Sequence, residues 1–204
     1  MAYSQGNEEE IILANLGNKG RLLDIGAHDG MTFSNSYALI SKHKWTGVLV
    51  EPSPSIFPKL LQNMQQFKEV VCLNAAITPT DQGIIEFYDS RGDFLSTNVE
   101  AMFHKWPKAI FDKYYTKSVS VDELIDFGGH DYKFINIDVE GANWDILTAI
   151  PFNLMTSLEV VCVEFDDKFN EMKAFMKSKG FELIFSNGEN MIFKSSMFDG
   201  SIKL

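Results

Sequence analysis

The sequence is short of cysteine, of basic charge and of long apolar runs, and each shortage removes a class of function. Only 2 cysteines, Cys72 and Cys162, occur in 204 residues, and no CxxC pair exists. Metal-ribbon and dithiol redox readings are therefore weak. Each cysteine falls in an apolar stretch that reads as a buried strand, so both are expected to be buried free thiols in a reducing, cytoplasmic setting. Lys and Arg number 18 against 28 Asp and Glu, for a net charge of −10. Without a basic face the chain is not expected to take nucleic acid as its partner. No apolar run approaches the ~20 residues that cross a bilayer. The opening MAYSQGNEEE is polar and acidic, unlike a secretory leader, so no membrane association is expected. Internal repeats, low-complexity tracts and long linkers are also missing, which leaves a single domain over residues 1–204.

What is present is 45% hydrophobic and 13% aromatic, with 17 Phe, arranged as alternating strand and helix signals. Arg21–Gly30 is an apolar run closing on glycines. Met31–Lys42 has helical character, Trp45–Ser53 is a second strand, and Pro54 suits the first turn of a helix reaching about Phe67. Val70–Thr78 is a third strand. The rhythm then breaks. Gly83–Ser90 reads as a further strand at a sheet edge, and Arg91–Lys117 as an aromatic-laden irregular or helical insert. Ser120 and Glu123 have capping-box spacing. Alternation resumes with Lys133–Val139, a helix over Ala142–Ala149 and a strand over Leu158–Phe165. A helix with Phe169, Met172, Phe175 and Met176 on one core-facing side stops at Gly180. Phe181–Ser196 is two strands around SNGEN. Apolar runs of this kind belong to parallel strands covered on both faces. The expected architecture is α/β and Rossmann-like. Its mostly parallel seven-stranded sheet is ordered 3-2-1-4-5-7-6, with a C-terminal antiparallel hairpin and an aromatic-rich insert near residues 80–117, as in class I methyltransferases. That order puts Cys72 and Cys162 four strand spacings apart, about 19 Å, beyond disulfide reach.

In such a sheet a ligand sits beyond the carboxyl ends of the strands, where their order reverses. After the first strand comes Gly26-Ala27-His28-Asp29-Gly30. His28 stands where a dinucleotide fingerprint needs its second glycine, and Met31 where it needs the third, so NAD and FAD are disfavoured. Glu51, followed by Pro52, ends the second strand and can accept hydrogen bonds from two ribose hydroxyls; the plainer alternative is a charge at a helix N-terminus. Asn74 and Ala75 after the third strand are placed to border an adenine. The fourth strand ends in Asp138 and Glu140 before Gly141, where charge is costly unless a ligand or the helix start answers it.

The pieces LLDIGAHDG, GVLVEPSPSIFPKLLQN, LNAAIT, SVDELI and FINIDVEGANWDIL, spanning roughly Leu22 to Ile150, resemble the FkbM family of S-adenosylmethionine-dependent methyltransferases. The resemblance implies methylation of a hydroxyl on a sugar or small metabolite, hence a small-molecule or glycan acceptor. It implies S-adenosylmethionine as cofactor, with Asp24, Gly26, Ala27, His28, Gly30, Glu51, Pro52, Asn74, Ala75 and Asp138 around it. Two positions depart from the family pattern: His28 replaces Asn, and Asn143 replaces an acid. An alcohol must lose a proton as it is methylated. Glu140 is the first candidate to take it, with Asp138 on the cofactor's amino-acid end and Glu164 and His104 as further catalytic candidates. Ser96 and Thr97 could bond a polyol, and the insert's aromatics could close over the acceptor or pack as a subdomain. No ligand spacing is diagnostic of a metal. Rival readings are a non-catalytic module that holds S-adenosylmethionine or its product, and a nucleotide-binding oxidoreductase.

Overall fold

The structure is a computed structural model that describes residues 3–92, 95–100, 102 and 105–198. Seven strands form the main sheet: β1 (Arg21–Ile25), β2 (Thr46–Val50), β3 (Val70–Leu73), β7 (Phe134–Ile137), β8 (Val160–Glu164), β9 (Phe181–Ser186) and β10 (Asn190–Ser195). Their order is β3-β2-β1-β7-β8-β10-β9. The first five positions pair in parallel, and β10 runs antiparallel to both β8 and β9. Read with the main-sheet strands numbered in chain order, this is the expected 3-2-1-4-5-7-6.

Alternate residues of each strand feed two separate cores. Leu23, Ile25, Ile135, Ile137, Val161 and Val163 pack under α4 (Val121–Gly128), α5 (Asn143–Ala149) and α6 (Phe169–Ser178). Leu22, Leu49, Phe134, Val160, Cys162 and Ile192 pack under α1 (Glu8–Asn15), α2 (Tyr37–His43) and α3 (Phe57–Met64). Met172 and Met176 of α6 are fully buried, as their spacing implies. No helix among the described residues is long and apolar enough to cross a membrane.

A second, three-stranded sheet of order β4-β6-β5 stands beside the first, built from β4 (Ala76–Thr78), β5 (Ile84–Asp89) and β6 (Asp112–Ser120). Here four readings from sequence are corrected. Val70–Thr78 is two strands rather than one, because Asn74 between them turns its amide onto the carbonyls of Glu51 (2.8 Å) and Pro52 (3.2 Å). Residues Asp112–Lys117 are strand, not irregular or helical insert. The inward positions of β6 are Thr116, Ser118 and Ser120, so its buried side is polar and shows no apolar alternation. Residues 31–36 precede the helix rather than belonging to it. The Asp29 carboxylate takes the N–H groups of Met31 (2.8 Å) and Thr32 (2.7 Å), a local competitor of helical hydrogen bonding. Finally, α3 starts at Phe57, and Pro58, not Pro54, occupies its first turn.

Candidate functional site

The turn after β1 is forced by a close approach of two strand ends. Gly26 has φ +87°, and a Cβ there would lie 1.7 Å from the Asp138 carbonyl oxygen. Only glycine lets the β1 and β7 loops lie this close. The N–H groups of Gly26 and Ala27 both donate to the Val50 carbonyl (3.0 and 2.9 Å), which draws the turn toward β2. His28 has φ +50°. His is among the few side chains that tolerate this left-handed region.

Glu51 directly follows β2 beside this turn and is 6% exposed. Its Oε2 accepts the His28 N–H (2.9 Å) and its Oε1 the Ser53 N–H (2.7 Å). Each oxygen keeps a lone pair for a further donor. Burial pushes the carboxyl up to about 7, against the lowering effect of those two N–H groups and the charge of His28. In the cavity lining, Asp24 accepts the Asn136 amide (2.9 Å), and Asn136 in turn accepts the Asn35 amide (3.1 Å). Burial raises Asp24 above the usual carboxylate range while the nearby Ser36 hydroxyl and the Asn136 hydrogen bond work against it.

Across the mouth stand the acids of β7 and β8. Asp138, Glu140 and Glu164 each bring one carboxylate oxygen within 4.8 Å of the others. Burial raises Asp138 well above its ordinary range, and the charges of Glu164, Glu140 and Asp24 raise it further. Burial and Glu164 push Glu140 up to about 8, with Lys105 opposing. Glu164 is raised by burial and by Asp166. Asn143, fully buried, explains why an amide serves here. Its Oδ1 accepts the Val139 N–H (2.9 Å), and its Nδ2 donates to both Glu164 (2.9 Å) and Asp166 (3.0 Å). A protonated acid at this position could donate only one of those two bonds, and an ionised one neither while adding a charge to a crowded set. Lys105 answers part of the charge through Asp166 (3.2 Å). The three acids present oxygen donors that a divalent ion could use, although no such spacing is legible in the sequence.

These elements enclose a cavity of about 1510 Å³ including its open mouth, lined among others by Asp24, Gly26, Ala27, His28, Glu51, Pro52, Ala75, Asp138, Glu140 and Glu164. Gly30 is not in the lining and packs beside Leu60 and Met64. Asn74 is not in it either, its amide being committed to the Glu51–Pro52 backbone. His104, Phe94 and Phe103 lie outside the described residues. Thr97 is spent on the fold: its hydroxyl donates to the Glu140 carbonyl (2.7 Å). Ser96 bonds Ser90 (3.0 Å) yet still lines the cavity, as does Trp106 of the insert. Several lining residues went unread in the sequence. Asn136 had a signal, a polar residue inside an apolar strand run. Glu8 had none, since a carboxylate in an EEE run looks solvated. It is nevertheless buried, accepting the Gly6 N–H (2.8 Å) and the Asn190 amide (3.2 Å).

Three solved structures share this architecture. A protein of the NADB-Rossmann superfamily from Streptococcus agalactiae aligns with TM-score 0.50 at 11% identity, over 96% of this chain and 70% of that one. Precorrin-6y C5,15-methyltransferase from Geobacter metallireducens aligns with TM-score 0.51 at 11% identity, over 92% and 87%. The METTL16 methyltransferase domain aligns with TM-score 0.51 at 14% identity, over 94% and 65%. At these identities the likeness is one of fold. No curated protein sequence matches significantly. The methyltransferase FkbM domain, however, matches residues 24–183, a span that runs from within β1 to within β9. It includes the glycine turn, Glu51 and the whole acid set, and the chain therefore belongs to the FkbM methyltransferase family, with S-adenosylmethionine as its cofactor.

Proposed function

We propose that the protein transfers a methyl group from S-adenosylmethionine to a hydroxyl of a sugar or other small metabolite. The residues present fit the cofactor. The Gly26–His28 turn offers bare backbone, Glu51 has lone pairs free for ribose hydroxyls, and Asp138 stands where a cationic amino-acid end would meet it. When bound, the cofactor supplies an electrophilic methyl carbon on a sulfonium; the protein aligns the acceptor and receives its proton.

The observation that carries this reading is Glu140. Its Oε2 is buried without a hydrogen-bond partner among the described residues, and its carboxyl is pushed up to about 8. A carboxylate of that basicity is suited to accept a proton near neutral pH. The wall around it, with Asp138, Glu164 and Glu189, offers acceptors to the hydroxyl donors of a polyol. The net charge of −10 supports a small-molecule or glycan acceptor rather than nucleic acid.

The test is a methyl-donor turnover screen over monosaccharides, oligosaccharides, small alcohols and amines. A hydroxyl acceptor is expected to turn over. With it, Glu140→Gln lowers kcat about 100-fold at saturating cofactor and leaves S-adenosylhomocysteine affinity within about twofold. Turnover confined to amines overturns the hydroxyl assignment, and an unchanged kcat in the variant removes the proton-acceptor role from Glu140.

A further inference from the structure

Asp89 ends β5 at the root of the insert, is 1% exposed, and reaches the cavity lining only through a long contact from the Ser96 hydroxyl (3.5 Å). Its carboxylate is satisfied by neutral donors. Oδ2 accepts the Ser53 hydroxyl (3.0 Å) and the Ser55 N–H (3.2 Å). Oδ1 accepts the Ser55 hydroxyl (3.0 Å) and the Arg91 N–H (2.9 Å). A side-chain amide has one oxygen with two lone pairs and could not serve four donors, so the position calls for a carboxylate. Three of those donors belong to the turn that follows Glu51. Ser53 links the two acids directly: its N–H donates to Glu51 Oε1 (2.7 Å) while its hydroxyl donates to Asp89. On its other side the strand before Asp89 is pinned to the opposite wall. Tyr88 and Thr97 exchange backbone hydrogen bonds (2.9 and 3.0 Å), and Thr97 holds the Glu140 carbonyl (2.7 Å).

We infer that Asp89 is a positioning residue for Glu51, locking the Pro52–Ser55 turn so that both Glu51 oxygens face a ribose, and making the insert part of the cofactor site. The inference rests on Glu51 being the ribose ligand. It is tested by calorimetry with S-adenosylhomocysteine and its 2′-deoxy analogue, on the wild-type protein and on Asp89→Asn. The wild type is expected to prefer the ribose form by about tenfold. In the variant, binding of S-adenosylhomocysteine falls about tenfold and the preference shrinks to about twofold. Equal weakening of both ligands, with the preference intact, would show that Asp89 only holds the fold together and would overturn the inference; so would unchanged affinity. A wild type without preference overturns the ribose reading of Glu51 itself, and this inference with it. Should Asp89→Asn not fold, Ser55→Ala removes one donor from the same carboxylate and separates the same two outcomes: a narrowed preference supports the inference and an intact one overturns it.

Discussion

Glu51 and Glu140 are raised by burial to about 7 and about 8, and the sign of that effect on stability is opposite to that of a salt-bridged acid. In the unfolded chain both titrate near 4.5. The folded state therefore holds protons that the unfolded state has released, and stability present below pH 4.5 is lost as pH rises through 7 and 8. The ligand-free protein is expected to melt at a lower temperature at pH 9 than at pH 6, with Glu140→Gln reducing the difference; a melting series across that range measures it. A fall of similar size in the variant would show that Glu140 is not the source. The same carboxylates give a cofactor prediction. S-adenosylmethionine carries a sulfonium charge that its product lacks, and ionised acids favour that charge. The ratio of product to cofactor dissociation constants should grow between pH 6 and pH 9, as read by calorimetry with each ligand. Asp138, Glu140 and Gly141 could be singled out in the sequence because two acids end an apolar strand. Asp89 could not, since a lone acid at a strand end looks solvated until Ser53 and Ser55 are seen around it.

At the scale of elements, local chemistry and tertiary contact can be told apart by substitution. The capping box of α4 forms as its Ser-x-x-Glu spacing implies, the Glu123 N–H donating to Ser120 Oγ (3.1 Å) and the Ser120 N–H to Glu123 Oε2 (3.0 Å). Ser120→Ala should cost about 1 kcal/mol of stability, visible in denaturant melts, without changing S-adenosylhomocysteine affinity, because α4 lies outside the cavity lining. Gly26→Ala is the contrasting case. Its added Cβ would meet the Asp138 carbonyl at 1.7 Å, a clash between two backbones that no side-chain rotation relieves. Loss of cofactor binding is expected, together with destabilisation of several kcal/mol. An alanine variant that binds normally would mean the two strand ends are not so close. The main-sheet strands were legible because they are continuous apolar runs. By contrast β6 was not, because its inward Thr116, Ser118 and Ser120 give a polar pattern that alternation rules read as surface.

For the whole molecule, strand order decides which residues can meet. Cys72 on β3 and Cys162 on β8 are both free and separated by β2, β1 and β7. Cys162 is buried as expected, whereas Cys72 is only half-buried. Burial pushes the Cys72 thiol up to about 11 and raises Cys162 well above its ordinary value. Iodoacetamide at pH 8 is therefore expected to label both cysteines slowly in the native protein, Cys162 the slower, and both rapidly in denaturant. Mass spectrometry reads the outcome, and fast native labelling of Cys162 would contradict its place in the sheet. The succession of strand and helix in the main sheet and the glycine turn with its acid at the next strand end were written in the sequence by itself, because they depend on apolar periodicity and local backbone freedom; the sheet order was implied by the likeness to class I methyltransferases. Only the tertiary structure decided that Asn143 bridges Glu164 and Asp166, that Glu8 and Asp89 are buried, and that Thr97 reaches Glu140. Each of these joins residues far apart in the chain, and whether a polar side chain meets water or another polar group is settled by what the fold places against it.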